Sequence, residues 1–356
     1  MTSSSRRHFL QTSAASLAAA QAWAQPVNSG RIKVAQIGTK HPHAEGKFAT
    51  LLDLPDLYEV VGICEDDPAQ RERVAGRKPY QSSQWLESDQ ILNNPEIQLV
   101  SVETEIDQLV PTALRCLKAR KHIHLDKPAG QELGPCRVMH READKRGLTI
   151  QMGYMLRYNP ALTFLFETVR EGWLGDITEV HGHMGKKASP GLRKELSRYP
   201  GGGLFELACH LIDALVTVLG KPAEVHGFHL KTQADAFKDN QLAVFRYPGA
   251  LATIGSNHND PFGGPRRQFT VIGTKGTIAI QPLEPPRLSL SLTEERGDFR
   301  RGTQEVSMPR IEGRYHGEFR DMAKIVRGEK SLAWNSQHDL IVQETLMRAT
   351  GLPLGE

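Results

Sequence analysis

"VAQIGTKHPHAEGKF", residues 34–48, decides how the first third of the chain folds. It opens as a short apolar run, reaches Gly38 and passes into a helical pattern, the strand–turn–helix entry of a parallel α/β sheet. Such a turn places the N–H groups of a helix N-terminus at the end of the first strand, where open α/β sheets hold the pyrophosphate of a dinucleotide. The usual turn is G-x-G-x-x-G, but Gly38-Thr39-Lys40-His41-Pro42-His43 keeps only the first glycine. Either the grip on a dinucleotide is altered, or His41 and His43 hold something else, such as a metal ion.

The pattern continues outward. Residues 32–38, 58–65, 97–104, 122–128 and 148–154 are strand-length apolar runs separated by helix-length segments. Each run is too apolar for a one-sided sheet, which predicts a doubly wound parallel sheet with helices on both faces. The segment from Val110 to Lys121, with Ala113, Leu114 and Leu117 at helical spacing, is one of those helices. After about residue 155 the runs lengthen and follow one another directly, at 177–185, 223–230, 241–249, 250–258 and 266–280. Breaks at Tyr247-Pro248-Gly249 and Gly273-Thr274-Lys275-Gly276 are turns between antiparallel neighbours. One long helix over 203–219 and two more near 312–328 and 338–350 complete the expectation. The fold class is α/β: a first domain over 31–150, and a second over 151–356 built on a large, open, mainly antiparallel sheet.

The 356 residues are 39% hydrophobic and 24% charged, enough for two cores. The net charge of +3 includes Arg6 and Arg7, and no charge block points to nucleic acid. Cys64, Cys116, Cys136 and Cys209 are scattered, without the paired spacing of a zinc or redox site, and read as small core residues. Ser5 to Gln11, "SRRHFLQ", precedes an Ala-rich stretch ending in Ala22-Trp23-Ala24 and resembles a twin-arginine export signal over 1–24. Its apolar segment falls short of the ~20 strongly apolar residues of a spanning helix. The expectation is a folded passenger of the twin-arginine machinery, delivered to the periplasm without a stable membrane anchor.

Several residues carry chemistry. Glu65, 27 residues after Gly38, and Asp66 end the second strand. They serve either as acceptors for ribose hydroxyls, which favours NAD over NADP, or as turn and cap chemistry before the next helix. Lys127 follows the fourth strand, at the crevice where such sheets bind ligands, unless it is a solvated surface lysine. Glu206, His210 and Asp213 share one face of an apolar helix. They form either a carboxylate-oriented general base or a hydrogen-bonded network.

These motifs together resemble the glucose-fructose oxidoreductase/inositol dehydrogenase (Gfo/Idh/MocA) family. The resemblance runs from about residue 31 to the end, through Asp126-Lys127-Pro128, "GYMLRYNPA" (153–161), "GDITEVHGHMG" (175–185) and Glu206…His210 with Ile212-Asp213. It implies a nicotinamide-binding Rossmann domain, a substrate domain, and hydride transfer at a hydroxyl-bearing carbon of a sugar or cyclitol. Lys127 then holds the reacting oxygen, His210 takes its proton, and Glu206 orients substrate or imidazole. Gly38, Thr39, Lys40, His41, Glu65, Asp66, Thr104 and Lys127 fall on the cofactor side, and Tyr154, Arg157, His183 and Asp213 on the substrate side. Arg157 equally suits a structural ion pair. The open sheet implies a homodimer or homotetramer.

The chain departs from the family at the glycine turn, at "TEIDQL" (104–109) in place of T-P-N-x-x-H, and at Glu206 in place of Asp. Lys40 is placed to neutralise a phosphate, whereas Glu105 adds negative charge. Three readings follow. The first is an exported oxidoreductase with tightly held NAD(H) acting on a sugar or polyol. The second is a redox-neutral, NAD-dependent glycoside hydrolase of the same fold. The third is a nucleotide-free metal-dependent lyase or sugar-binding protein, with His41, His43, His183 (or its neighbour His181) and His210 as ligands.

Overall fold

A computed structural model describes residues 30–355; the export signal expected over 1–24 lies outside them. The first sheet is built from β1 (Ile32–Ile37), β2 (Tyr58–Cys64), β3 (Leu99–Val102), β4 (His122–Leu125) and β5 (Ile150–Met152). Between the strands run α1 (Ala44–Leu52), α2 (Pro68–Ala75), α3 (Ser88–Leu92), α4 (Ile106–Lys118) and α5 (Leu133–Arg146). All five strands are parallel, in the order β2-β1-β3-β4-β5. The order reverses beside β1, so the carboxyl ends of β1 and β3 bound the crevice expected for a ligand. Helix α4 starts at Ile106, four residues before the expected Val110, and buries Leu109, Val110, Ala113 and Leu117 against the sheet.

A 3₁₀ turn, Met155–Tyr158, leads out of this sheet into α6 (Pro160–Arg170) and β6 (Ile177–Gly185). Next come α7 (Pro190–Leu196), α8 (Gly202–Glu206), α9 (Cys209–Leu219), β7 (Glu224–Leu230), β8 (Asn240–Arg246), β9 (Leu251–Asn257), β10 (Gln268–Gly273), β11 (Gly276–Leu283), β12 (Pro286–Leu292) and β13 (Gly302–Val306). Helices α10 (His316–Val326) and α11 (Ser336–Thr350) end the chain. The second sheet runs β13-β12-β11-β10-β6-β9-β8-β7, antiparallel except for the β6–β9 pair. Its inner face, with Val180, Ile254, Phe269 and Val271, is buried toward α9, while the outer face stays open. Strands β12 and β13 extend it beyond the expected set; Leu288, Leu290 and Leu292 of β12 alternate inward with serines between them.

The helix expected over 203–219 is two helices. It breaks at Leu207-Ala208, between α8 and α9. The four cysteines are buried and unpaired, as small core residues should be, and burial pushes the Cys116, Cys136 and Cys209 thiols up to about 12. Helix α10 returns to the first sheet, where the Tyr58 hydroxyl donates to the Phe319 carbonyl (2.5 Å) and the His124 ring stacks on Phe319. Among the described residues no helix is long and apolar enough to cross a membrane.

Candidate active site

The turn after β1 depends on its one retained glycine. Gly38 has φ +96°, and a Cβ there would lie 2.7 Å from the backbone of Glu103 and Thr104 at the end of β3. No other residue fits this crossing without moving the central strands apart. Beyond it, a cavity of about 330 Å³ opens at the carboxyl ends of the strands, lined by Gly38, Lys40, Glu65, Asp66, Thr104 and Arg115 among others. Its position, its carboxylates and the glycine cradle fit the adenosine end of a dinucleotide.

The grip itself differs from expectation. Glu65 braces the turn: one oxygen accepts from the Thr39 N–H (2.8 Å) and hydroxyl (2.6 Å), the other from the Asp67 N–H (3.1 Å). Asp67, not Glu65, caps α2. Asp66 is the less committed carboxylate at the ribose position. Lys40 is shared between Asp67 (2.9 Å) and Glu105 (3.4 Å), and Glu105 also meets Arg198 from the second domain at 2.8 Å. The extra negative charge of "TEI" is thus neutralised within the chain, and Arg198 bridges the groove. His41 turns inward, toward Asp126 and the Lys127 carbonyl.

Lys127, 1% exposed, and His210 come from different domains into one buried region, close enough for the Lys127 charge to act on the His210 ring. The break between α8 and α9 frees the Glu206 carbonyl, which accepts from Lys127 Nζ at 2.8 Å. His210, in the first turn of α9, is 2% exposed, and its Nδ1 has no hydrogen-bond partner. Tyr154 meets its ring edge-on at 5.8 Å between centroids. Burial first, then the charges of Lys127, His43 and Arg314, hold the His210 pKa well below that of a free imidazole, so the ring is neutral and able to accept a proton.

Glu206 does not orient His210. Because the helix breaks, its carboxylate turns to Lys186 (3.1 Å) and to His258 Nε2 (3.5 Å). Burial raises its pKa, but the His258 ring and the Lys186 and Lys127 charges outweigh that and hold it well below the usual carboxylate range. The sequence carries no local spacing that pairs Lys186 or His258 with Glu206, because each lies far from it along the chain.

Two expected substrate contacts are structural. Arg157, 3% exposed, forms a forked pair with Asp213 (2.7 Å) and reaches Asp339 (2.7 Å), while His338 Nε2 lies 3.0 Å from Asp213. Its Nε and Nη2 are committed to these two carboxylates, so the pair reads as an ion-pair network within the fold. His183 is also displaced from the site. Strand alternation puts it with His181 on the open outer face, opposite the face that packs on α9. The four-histidine metal set therefore does not assemble. His41 and His43 instead converge with Asp126.

Two family models cover the chain: "Oxidoreductase family, NAD-binding Rossmann fold" over residues 32–154, and "GFO/IDH/MocA C-terminal domain" over 164–279. Trans-1,2-dihydrobenzene-1,2-diol dehydrogenase of Mus musculus is 27% identical over 71% of this chain and 75% of its own. Myo-inositol 2-dehydrogenase of Thermotoga maritima is 24% identical over 76% and 79%. Among solved structures, levoglucosan dehydrogenase in complex with NADH and levoglucosan superposes with a TM-score of 0.79 at 18% identity, over 90% of this chain and 96% of that one, a likeness of fold. From the two models and the architecture together, the chain belongs to the GFO/IDH/MocA family of oxidoreductases.

Proposed function

We propose that the protein is an NAD(H)-dependent dehydrogenase of a sugar or cyclitol, in which Lys127 and His210 handle the proton. The juxtaposition of these two side chains beside the carboxyl ends of β1, β3 and β4 carries the reading. When bound, the nicotinamide supplies the site that accepts or returns the hydride. Lys127 Nζ, anchored to the Glu206 carbonyl, is placed to bind the reacting oxygen and favour its deprotonated form. Neutral His210 takes the proton from that oxygen in oxidation and gives it back in reduction. Glu206, kept ionised by its His258 contact and by Lys186 and Lys127, offers an acceptor for a neighbouring substrate hydroxyl. The Arg198–Glu105 bridge supports slow exchange of the cofactor.

The proposal includes export by the twin-arginine route, resting on "SRRHFLQ" and the Ala22-Trp23-Ala24 pattern. It also includes self-association through the open sheet face. There Phe228 is paired with Leu242 across β7 and β8, and their residue exposures are 61% and 44%. Protein recovered from the periplasm, denatured and analysed for released nucleotide, tests the first part. Near-equimolar NAD(H), with reduction of bound NAD by a panel of polyols, is the expected result. Absence of nucleotide together with no NADH fluorescence change on titration overturns it.

A further inference from the structure

Behind the Lys127–His210 pair lies a cluster that the proposed reaction does not use. His41 and His43 come from the first turn, Lys47 from α1, Glu103 from the end of β3, His124 and Asp126 from β4 and its end, and Glu318 from α10. His41 Nδ1 lies 2.8 Å from Asp126 Oδ2, His43 Nδ1 lies 3.2 Å from both Asp126 oxygens, and one donor atom from each of the three falls within 4.8 Å of the others.

Two observations call for a positive body here. The first concerns His41. Its Nε2 lies 3.2 Å from the Lys127 carbonyl, which can only accept, so Nε2 carries the hydrogen. The backbone N–H of His43 approaches Nδ1 at 3.3 Å. With one hydrogen on the ring, Nδ1 meets the Asp126 carboxylate oxygen at 2.8 Å acceptor to acceptor, a contact that a cation between them relieves. The second concerns charge. Glu103, Asp126 and Glu318 are all 0% exposed and face the Lys47 ammonium at 3.3, 2.9 and 4.0 Å, with the His124 ring 3.3 Å from Glu318 and 3.8 Å from Glu103. Both Glu318 oxygens and one of Glu103 have no hydrogen-bond donor.

We infer that His41, His43 and Asp126 bind one divalent first-row transition-metal ion. Two imidazole nitrogens and one carboxylate suit zinc, cobalt, iron(II) or manganese rather than the all-oxygen preference of magnesium or calcium. Lys47 stays with Glu103 and Glu318 when the cation takes Asp126. The His41 Nε2–H bond to the Lys127 carbonyl fixes the tautomer that turns Nδ1 to the ion, as an outer partner of a metal-bound histidine does. His43 keeps 14% of its side chain exposed and packs beside the Tyr315 ring, so it is the ligand nearest to solvent. This inference does not depend on the redox reading.

Full-length protein freed of metal with a chelator and titrated with Co²⁺ tests it. Expected are visible d–d absorption saturating at one equivalent, its loss on adding one equivalent of Zn²⁺, and at least 100-fold weaker binding in His43→Ala and in His41→Gln. A variant lacking the outer-face rings, His181→Ala with His226→Ala, should bind as the parent does. Circular dichroism and thermal melts confirm that each variant is folded, and the chelated parent gives a reading that needs no mutation. Absence of a stoichiometric Co²⁺ spectrum, or unchanged affinity in both His41→Gln and His43→Ala, overturns the inference and leaves protons as the balancing charge.

Discussion

At the scale of single residues, the reaction rests on Lys127 and His210, and the turn rests on Gly38. Lys127→Met removes the group facing the reacting oxygen and frees the Glu206 carbonyl. The expected outcome is a fall in kcat of about 10²–10⁴-fold with NADH affinity within a few-fold of the parent, from steady-state rates and fluorescence titration. His210→Asn should lose a similar factor in kcat, since it removes the buried ring that meets Tyr154 edge-on and accepts the proton. Gly38→Ala acts differently. Its methyl meets the Glu103–Thr104 backbone at 2.7 Å in a left-handed conformation, so urea unfolding should show a loss of about 2–4 kcal/mol. Lys127 and His210 were legible because each closes a recognisable local pattern. Lys186, His258, Lys47 and Glu318 were not, because their partners are distant in sequence and only the packed fold brings a second charge to them.

At the scale of elements, the break between α8 and α9 matters more than either helix. A continuous helix would stack Glu206 over His210, as the i, i+4 spacing suggested. The break sends the carboxylate to Lys186 and gives the carbonyl to Lys127. Three glycines at 201–203 precede this segment, with Gly202 at φ +69°, where a Cβ would strike Lys238 and Gln241. That crowding was invisible in a helical pattern of apolar residues. The parallel strands, by contrast, were legible because both faces are covered and apolar residues outnumber polar ones along the set. Strand β13, at the sheet edge, is largely polar and carries no such signal. Two predictions belong here. Asp213→Asn breaks a buried forked ion pair between α9 and the 3₁₀ turn, and since Asp339 still holds Arg157 the expected cost is about 3 kcal/mol in unfolding free energy with KM little changed. A substrate role would instead raise KM in a stably folded variant. Arg198→Ala removes a half-exposed ion pair across the cofactor groove; such pairs are worth under about 1 kcal/mol, so stopped-flow displacement should show NADH leaving about 2–5-fold faster.

At the scale of the whole molecule, stability should fall on mild acidification. Burial holds His122, His140, His210 and His258 below the pKa of a free imidazole, so each takes up a proton on unfolding that the native state excludes. The unfolded chain then binds more protons. The stabilisation is complete above about pH 7 and is lost as pH drops through about 6.5, at up to about 1.4 kcal/mol per pH unit for each ring. Thermal melts between pH 8 and 5 should stay level and then descend; a flat profile to pH 5 would show that these rings are hydrated. The division into two domains was legible from the change in strand grammar near residue 155, but the return of α10 to the first sheet was not, since an amphipathic helix does not say which neighbour it covers. That return means the chain crosses between the domains three times, after β5, between β13 and α10, and again between α10 and α11, which packs on α9 and β7. A body joined at one point can swivel freely, whereas one sewn at three is a lid stitched along its seam. Rotation about any one connection is resisted by the other two, so Lys127 and His210, supplied from opposite sides of that seam, are held in register.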